Sequence, residues 1–288
     1  MPTSQPAPAR LVTQGGDACP VCAAPSRREI EVGAFALHRC PDCGAWSSDA
    51  LARGAATSFE PRRYFENAAC ERESWERLLA KIPAHRLRNI LDVGCGTGEF
   101  LAYLAARDPA TRREAIELDP TRAAAARARD PGARIHTGDA LATLSRVEGP
   151  FDLITLWDVF EHVPAPAALL AALTDRLARG GLIYLQTIHE RSIVPWLGRT
   201  AYRLSGGRLR GPVRRTHEAH HLVFFTRSSL ERAARDAGLR VLELWWGRLP
   251  RERMDGAAWL TGLTSLLLRA ENALGGGLFV NLLLGRRE

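Results

Sequence analysis

Four cysteines near the amino terminus have the residue type and spacing of a metal site. They form two pairs, Cys19-Pro-Val-Cys22 and Cys40-Pro-Asp-Cys43, with 17 residues between the pairs. Zinc favours four thiolates in a tetrahedron, and closed sites of this kind support folding rather than catalysis. The apolar positions between the pairs have the pattern of a short hairpin. We therefore expect a structural zinc ribbon over residues 15–50, with four ligands: Cys19, Cys22, Cys40 and Cys43.

A second chemical signal is a glycine-rich bend after the apolar run at residues 90–93. Gly94, Gly96 and Gly98 follow that run directly and precede a helical pattern. Glycine lets a ligand approach the backbone closely, and the start of a helix offers unpaired N–H groups. The spacing G-x-G-x-G departs from the G-x-G-x-x-G of dinucleotide sites. This departure favours a less anionic ligand than a pyrophosphate.

Acidic residues occur where the next two predicted strands end. Glu117 lies 23 residues after Gly94, and Asp139 follows the third strand. A carboxylate at the first position can accept both ribose hydroxyl protons, because ligands of open α/β sheets bind at the carboxyl ends of the strands. Structural alternatives exist for each polar position: Asp92 can brace the bend, Asp139 can cap a helix, and Trp157 can belong to the core.

The elements that position these residues follow from hydrophobic periodicity. Short apolar runs alternate with amphipathic stretches, which is typical of β-α-β units and a mainly parallel sheet. The predicted strands cover residues 90–93, 114–118, 134–137, 151–157, 182–187, 239–246 and 278–284. The predicted helices cover residues 64–82, 98–107, 120–129, 140–146 and 166–179.

Composition bounds the class of protein. Hydrophobic residues make up 46% and charged residues 25% of 288 residues, which excludes wholesale disorder and fibrous repeats. Lys and Arg outnumber Asp and Glu by 39 to 32, a net charge of +7, and Lys81 is the only lysine. This basicity permits a polyanionic partner without requiring one. We expect a cytoplasmic protein with a disordered lead over residues 1–14 and a linker over 51–63, since no apolar signal core or spanning segment is visible.

Residues from about 61 to 288 resemble class I S-adenosylmethionine-dependent methyltransferases. The resemblance rests on D-V-G-C-G-T-G at the bend, the acidic residue after it, G-D-A, F-D-x-I-x-x-x-x-V-x-E-H-V and a later H-x-x-x-F-T passage. A zinc ribbon precedes the domain in many bacterial members. The resemblance implies an α/β, Rossmann-like, doubly wound and mainly parallel seven-stranded sheet. Its last strand would be antiparallel, in a domain over residues 64–288.

The resemblance also implies which residues bind S-adenosylmethionine. They are Asp92, Gly94, Gly96 and Gly98 at the methionine end, Glu117 at the ribose, Asp139 and Ala140 at the adenine, and Trp157 and Asp158 beside the sulfonium. Asp119 follows Glu117 closely and is expected to face elsewhere.

The acceptor side is less well defined. Residues 188–221 form a predicted lid with many arginines, which either hold a phosphate or carboxylate or are simply solvated. His221 and His189 are candidate general bases, because histidine has a suitable pKa. His162 is expected to make a structural hydrogen bond instead.

We expect the first of three functions, with the other two as alternatives. The first is methyl transfer to the O, N or C atom of a small-molecule, saccharide or lipid-linked acceptor. The second is an RNA methyltransferase that uses the ribbon and the arginines to hold phosphates, and the third is a non-catalytic cofactor-binding scaffold. The uncharged run at 256–268 predicts a packed helix, with a membrane-surface contact as the alternative. The oligomeric state is left open.

Overall fold

A computed structural model of the protein describes residues 18–54, 68–247 and 258–287. The predicted lead over 1–14 and residues 55–63 of the predicted linker lie outside the described residues. So do residues 64–67 of the predicted helix and the start of the run at 256–268.

The described strands belong to two sheets. In chain order they are β1 (Arg27–Glu31), β2 (Ala36–Arg39), β3 (Trp46–Ser48), β4 (Asn89–Val93), β5 (Arg112–Glu117), β6 (Arg134–Thr137), β7 (Phe151–Trp157), β8 (Leu177–Ile188), β9 (Val223–Phe224), β10 (Leu239–Gly247) and β11 (Phe279–Arg286).

The described helices lie mostly between these strands. They are α1 (Ala68–Leu79), α2 (Glu99–Arg107), α3 (Pro120–Arg129), α4 (Ala140–Thr143), α5 (Pro166–Asp175), α6 (Ile193–Leu204), α7 (Gly211–Thr216), α8 (Arg227–Asp236) and α9 (Ala258–Ala273).

The larger sheet has seven strands in the order β10-β11-β8-β7-β4-β5-β6. The pairs from β8 to β6 are parallel, whereas β11 runs antiparallel to both of its neighbours, β10 and β8. The predicted Rossmann-like fold with an antiparallel last strand is therefore confirmed. Helices cover both faces of such a sheet, so the central strands β4 and β7 are almost wholly buried.

One predicted helix is too long. Residues 166–179 have a helical pattern, but α5 ends at Asp175 and β8 already begins at Leu177. Gly180 adopts φ +73, and Gly181 lies so close to the Phe151 carbonyl oxygen that a Cβ there would stand 2.6 Å from it. The two glycines thus let the start of β8 pass tightly against β7. Leu177 packs into the core from the strand instead of from a helix.

The smaller sheet joins the cysteine-rich segment to the rest of the chain. Its order is β1-β2-β3-β9, and Trp46 of β3 pairs with Phe224 of β9. Sequence reasoning did not identify β3 or β9, because strands of three and two residues carry no measurable periodicity. The carbonyl of Cys43 also accepts hydrogen bonds from the hydroxyls of Thr226 (3.5 Å) and Ser228 (2.9 Å).

Helix α9 presents one face to the protein and another to solvent. Ser265 and Leu268 are buried, whereas Leu263 and Leu266 are 48% and 65% exposed. No helix of the described residues is both long and apolar enough to cross a membrane.

The first cysteine turn contains a residue with unfavourable backbone geometry. Ala23 adopts φ +60 where the second turn has Gly44 at φ +80. In both turns this residue donates its N–H to the first cysteine's carbonyl, at 2.9 Å and 3.1 Å. The shared turn geometry places two sulfurs on one side, and alanine pays a steric penalty of about 1 kcal/mol to adopt it.

We expect Ala23→Gly to raise the free energy of unfolding by up to about 1 kcal/mol, because glycine adopts a positive φ without that penalty. The matched control is Ala24→Gly at the neighbouring position, whose φ is not positive; there glycine should lower the free energy by about 0.5–1 kcal/mol. Chemical denaturation of both variants checks this. Equal destabilisation by the two changes would contradict it.

Candidate functional site

The carboxyl ends of five neighbouring strands meet at one edge of the larger sheet. Val93 of β4 pairs with Ile116 of β5 and with Leu156 of β7. Glu117 pairs with Thr137 of β6, and Trp157 pairs with Gln186 of β8. The sequence-predicted cofactor residues come directly at or after these positions, so the fold brings them together at one edge.

The glycine bend is held open by backbone geometry. Gly94, Gly96 and Gly98 have φ values of +74, +58 and +84, a region that favours glycine. Gly94 donates its N–H to the Ile116 carbonyl at 2.7 Å. A Cβ on Gly94 would stand 2.4 Å from a methyl carbon of Val159. The bend therefore has room for backbone but not for side chains at this point.

Glu117 closes the bend from the neighbouring strand. The side chain is 5% exposed. Its Oε2 accepts the Gly96 N–H at 2.8 Å, and its Oε1 accepts the Asp119 N–H at 2.9 Å. A carboxylate with lone pairs on both oxygens can also accept from the hydroxyls of a ligand. Glu117 thus fixes the bend while remaining an acceptor at its rim.

Asp92 lies beneath the bend and is 2% exposed. Its Oδ1 accepts a hydrogen bond from the Thr155 hydroxyl at 2.7 Å. Burial raises the pKa of this carboxyl to about 7, and the negative charges of Glu117 and Glu99 add to the effect, whereas the Thr155 hydrogen bond opposes it. Asp92 braces β4 against β7 and belongs to a group of mutually repelling carboxyls.

Two further acidic residues cap helices. The Asp119 side chain accepts the N–H groups of Thr121 and Arg122 at the start of α3. The Asp139 side chain accepts the Ala142 N–H at 3.0 Å at the start of α4, which begins at Ala140. Asp119 therefore faces away from the bend, and Asp139 has the capping role that the sequence left open as its alternative.

Trp157 and Asp158 end β7 beside the bend. The Trp157 ring packs edge-on against Phe100 with 5.3 Å between ring centroids. Its Nε1 is buried, and no acceptor for it occurs among the described residues. Asp158 adopts φ +51, and its Oδ1 accepts from the Gln186 side chain at 3.0 Å. A ligand acceptor beside Trp157 would satisfy a buried donor that the described part of the chain leaves unpaired.

Sequence reasoning gave Glu161 only a positioning role, but the structure adds it to this edge. The side chain is 2% exposed, and its Oε2 accepts the Thr187 hydroxyl proton at 2.9 Å. Burial, together with the charge of Asp158, raises the pKa of this carboxyl to about 8. The E-H-V motif identifies Glu161 in the sequence, but the sequence does not show that its side chain is buried.

The histidines of the acceptor side have different environments. His217 is fully buried, and its Nε2 contacts both carboxylate oxygens of Glu190, at 3.0 and 3.1 Å. His189 packs against Trp246, and burial lowers its pKa to about 4. Burial also holds the pKa of His221 well below its usual range. The Nδ1 of His162 donates a hydrogen bond to the His220 carbonyl at 3.0 Å.

Several arginines of the predicted lid hold the cysteine-rich segment. Arg199 is buried, pairs with Glu190 and lies over the Trp46 ring at 5.2 Å from its centroid. Arg203 pairs with Glu29 at the end of α6. Buried charges need such partners to offset their desolvation. Helix α6, in the first half of residues 188–221, therefore contacts the cysteine-rich segment through Arg199 and Arg203.

The four cysteines meet as the sequence predicts. Their sulfurs all lie within 4.8 Å of one another, with 3.5 Å between those of Cys19 and Cys43 and 3.6 Å between those of Cys22 and Cys40. A tetrahedral zinc ion with Zn–S bonds of about 2.3 Å separates its sulfurs by about 3.8 Å. The arrangement is compatible with a closed zinc site.

Comparison with known proteins defines the family. Residues 62–244 match the family described as "Methyltransferase domain". The chain therefore belongs to this methyltransferase family.

Curated relatives cover part of the chain. A trans-aconitate 2-methyltransferase of Methylobacterium radiotolerans is 37% identical over 38% of this chain and 41% of its own length. A ubiquinone biosynthesis O-methyltransferase of Aromatoleum aromaticum is 29% identical over 54% of this chain and 66% of its own length. The match thus spans less than two thirds of either relative.

Solved structures share the fold. A methyltransferase from Thermotoga maritima superposes with a TM-score of 0.51 at 18% identity, over 78% of this chain and 93% of that one. One from Archaeoglobus fulgidus gives a TM-score of 0.50 at 14% identity, over 74% and 93%.

We expect Gly94→Ala to lower the free energy of unfolding by about 2–4 kcal/mol, because the new methyl meets Val159 and the positive φ is strained. Gly54→Ala is the control: its φ is +65 with open space around it, so only the backbone penalty of about 1 kcal/mol applies. Adding Val159→Ala to Gly94→Ala should recover part of the loss. Additive effects of those two changes in denaturation experiments would contradict the contact.

The raised pKa of Asp92 predicts that the free energy of unfolding depends on pH. Its folded pKa lies above its unfolded value of 3.8, so the folded state binds the proton more tightly. The raised pKa therefore adds to the free energy of unfolding fully below pH 4, and this stabilisation is lost as the pH rises to about 7. Asp92→Asn removes the titration while keeping an oxygen that can accept from Thr155. The variant's stability relative to wild type should rise by up to about 4 kcal/mol from pH 4 to pH 8, and a pH-independent difference would contradict the raised pKa.

Proposed function

We propose that this protein transfers a methyl group from S-adenosylmethionine to a small-molecule acceptor. The observation that carries the proposal is the joining of the glycine bend to Glu117 at one edge of a sheet with this topology. Family membership supports the same activity.

The charge of the site favours a cationic ligand. Asp92, Glu117 and Glu99 influence one another electrostatically beneath and beside the bend. Asp158 and Glu161 form a second acidic pair at the end of β7. A pyrophosphate would be repelled by the ionised members of these groups, whereas a sulfonium or ammonium group is attracted to them and would favour ionisation of Asp92 and Glu161, whose pKa values are raised. This argues for S-adenosylmethionine over a dinucleotide.

In the proposed complex the residues have separate tasks. S-adenosylmethionine supplies an activated methyl group on sulfur, so transfer is an in-line displacement. Glu117 accepts from the ribose hydroxyls, Asp92 and the bend hold the methionine end, and Trp157 and Asp158 border the sulfonium. Asp139 and Ala140 lie at the adenine end. Alignment of the reacting atoms lowers such barriers by about 7–11 kcal/mol.

An acidic group on the acceptor is supported by a pocket of about 170 Å³ between the cysteine-rich segment and α6. It is lined by arginines and tryptophans: Arg39, Arg191, Arg199, Arg203, Trp46 and Trp196, with Gly44 and Thr200. Their four guanidinium groups face two carboxylate partners, Glu29 and Glu190, which leaves positive charge for a phosphate or carboxylate. The relatives named above carry small-molecule names, which agrees with this class.

The proposal also needs a general base that removes a proton from a hydroxyl acceptor. His189 and His221 remain candidates, but the pKa of His189 near 4 makes it a weak proton acceptor at neutral pH. Burial disfavours His221 in the same way.

A structural zinc ion held by the four cysteines belongs to the proposal. Cys43 is bonded through its carbonyl to the start of α8, so the metal would stabilise the joint between the two sheets. The RNA alternative loses support because the ribbon arginines Arg28 and Arg39 pair with Glu31 and Glu29. A membrane contact through the exposed leucines of α9 remains a prediction.

Glu117→Gln tests the cofactor site. We expect the affinity for S-adenosylhomocysteine, measured by calorimetry, to fall by about 10- to 100-fold, because hydrogen bonds to a charged group contribute about 1.5–3 kcal/mol. Asp119→Asn is the matched control, since that carboxylate caps α3 and should leave the affinity within about twofold.

The same samples test the reaction. Wild-type protein incubated with methyl-labelled S-adenosylmethionine should label small acidic molecules in an extract fractionated by anion exchange. Label found only in RNA would favour the RNA alternative. Binding without transfer to any fraction would favour the scaffold, and no binding at saturating concentration would overturn the proposal.

A further inference from the structure

A second group of metal-ligand side chains lies apart from the cysteines. His162 belongs to the helical turn after β7, and His220 and His221 precede β9, 58 and 59 positions later. One ring nitrogen of each histidine lies within 4.8 Å of those of the other two. The ring centroids are 4.3–5.2 Å apart. Three imidazoles from two segments thus converge on one point.

The neighbours of two of the rings indicate which nitrogen carries the proton. The Nδ1 of His162 lies 3.0 Å from the His220 carbonyl, which only accepts, so Nδ1 is the donor and Nε2 carries the lone pair. The Nε2 of His220 lies 3.3 Å from the Glu218 carboxylate, a contact that favours the proton on Nε2 and the lone pair on Nδ1. Metal-binding histidines have this arrangement, with the second nitrogen donating to a carbonyl or carboxylate.

The third ring contains an unsatisfied atom. The Nδ1 of His221 is buried, and the described residues offer it no hydrogen-bond partner. Buried polar atoms are nearly always paired in native proteins, so an unpaired one needs an explanation. A bound ion is one such explanation. This observation is independent of the convergence of the three rings.

The segment that carries two of the rings is held by its backbone. His221 donates its N–H to the Glu218 carbonyl at 3.0 Å, and Leu222 donates to the Glu161 carbonyl at 2.8 Å. Leu222 in turn accepts from the Ser48 N–H of the ribbon at 2.9 Å. The backbone positions of His220 and His221 relative to His162 are therefore held by hydrogen bonds, and the three rings can close on an ion by side-chain rotation.

We propose that His162, His220 and His221 bind a divalent metal ion of the zinc class with one coordination position left open. Tetrahedral Zn–N bonds of about 2.0–2.1 Å place nitrogens about 3.4 Å apart, so the rings need to close by up to about 1.4 Å from their 4.8 Å limit. Imidazole ligands suit zinc, copper, nickel or iron rather than magnesium or calcium. Three histidines with an open position are the arrangement of catalytic zinc sites.

The open position gives the metal a role that rests on the proposed function. The site adjoins Glu161 and the end of β7, on the acceptor side. A hydroxyl oxygen of the acceptor bound to the metal loses its proton to water more readily. That oxygen then forms the bond to the methyl carbon while the carbon–sulfur bond breaks and leaves its electron pair on sulfur. The metal would thereby supply the activation that the weakly basic histidines do not.

Cobalt(II) titration of the full-length protein carrying a single equivalent of zinc, which the four cysteines take up first, tests the site. We expect one equivalent of cobalt to bind with visible d–d bands and without a sulfur-to-cobalt charge-transfer band, because the cysteines are already occupied by zinc. His220→Gln and His221→Gln should each weaken cobalt binding at least about tenfold, and Glu218→Gln should weaken it by about 10-fold as an outer-sphere partner. His85→Gln, an exposed histidine in another turn, is the matched control.

The outcomes separate the two proposals. Circular dichroism and melting of each variant check folding, and if His221→Gln does not fold, the less buried His220→Gln and Glu218→Gln decide. Failure to take up cobalt, cobalt found only at the cysteines, or uptake unchanged in the histidine variants would overturn the metal site and leave a packed histidine cluster. S-adenosylhomocysteine affinity, measured on the same samples, reports on the proposed function independently of these results.

Discussion

The hydrogen bond from the Gly96 N–H to the Glu117 carboxylate is the contact on which the site depends. It links the bend after β4 to the end of β5, and the parallel register of the two strands brings its partners to the same edge. Three glycines with positive φ make the bend, and helix α2 begins at its last turn. If the carboxylate were elsewhere, the bend would lose its acceptor and the candidate nucleoside pocket would lose one wall.

The cysteine-rich segment is packed against the rest of the described chain through β9, α6 and the start of α8. Strand β3 pairs with β9 in the smaller sheet. The Cys43 carbonyl accepts a hydrogen bond from the Ser228 hydroxyl at the start of α8. Arg199 binds Glu190 on one side and covers Trp46 on the other. His220 and His221 lie just before β9, which pairs with β3. Folding of the cysteine-rich segment therefore helps to fix the positions of these two histidines.

Long periodic elements were readable from the sequence. Strands over 134–137 and 151–157 and the helix over 120–129 have the predicted bounds. An apolar run extends through most of the second strand, and the helix has a buried face at Ala123 and Ala126. The helix predicted over 166–179 was wrong at its end, where glycines allow a strand to pass closely against β7. Local composition does not encode such tertiary contacts.

Some residues of the candidate site could likewise be predicted from the sequence, and others could not. Glu117 and the glycines follow from spacing, since strand ends of a parallel sheet meet at one edge. The burial of Glu161 and the convergence of His162 with His220 depend on how distant segments pack, so no local pattern announces them. The lid arginines show the limit most clearly: their charge was visible, but the partners Glu29 and Glu190 that bind Arg203 and Arg199 were not.

A crystal structure of the protein grown with S-adenosylhomocysteine is the most direct measurement of the central claim. The account predicts ribose hydroxyls within hydrogen-bond distance of the Glu117 carboxylate and the amino acid portion against the bend at Gly94 and Gly96. Density for the ligand at any other place, or a ligand-free bend at saturating concentration, would contradict it.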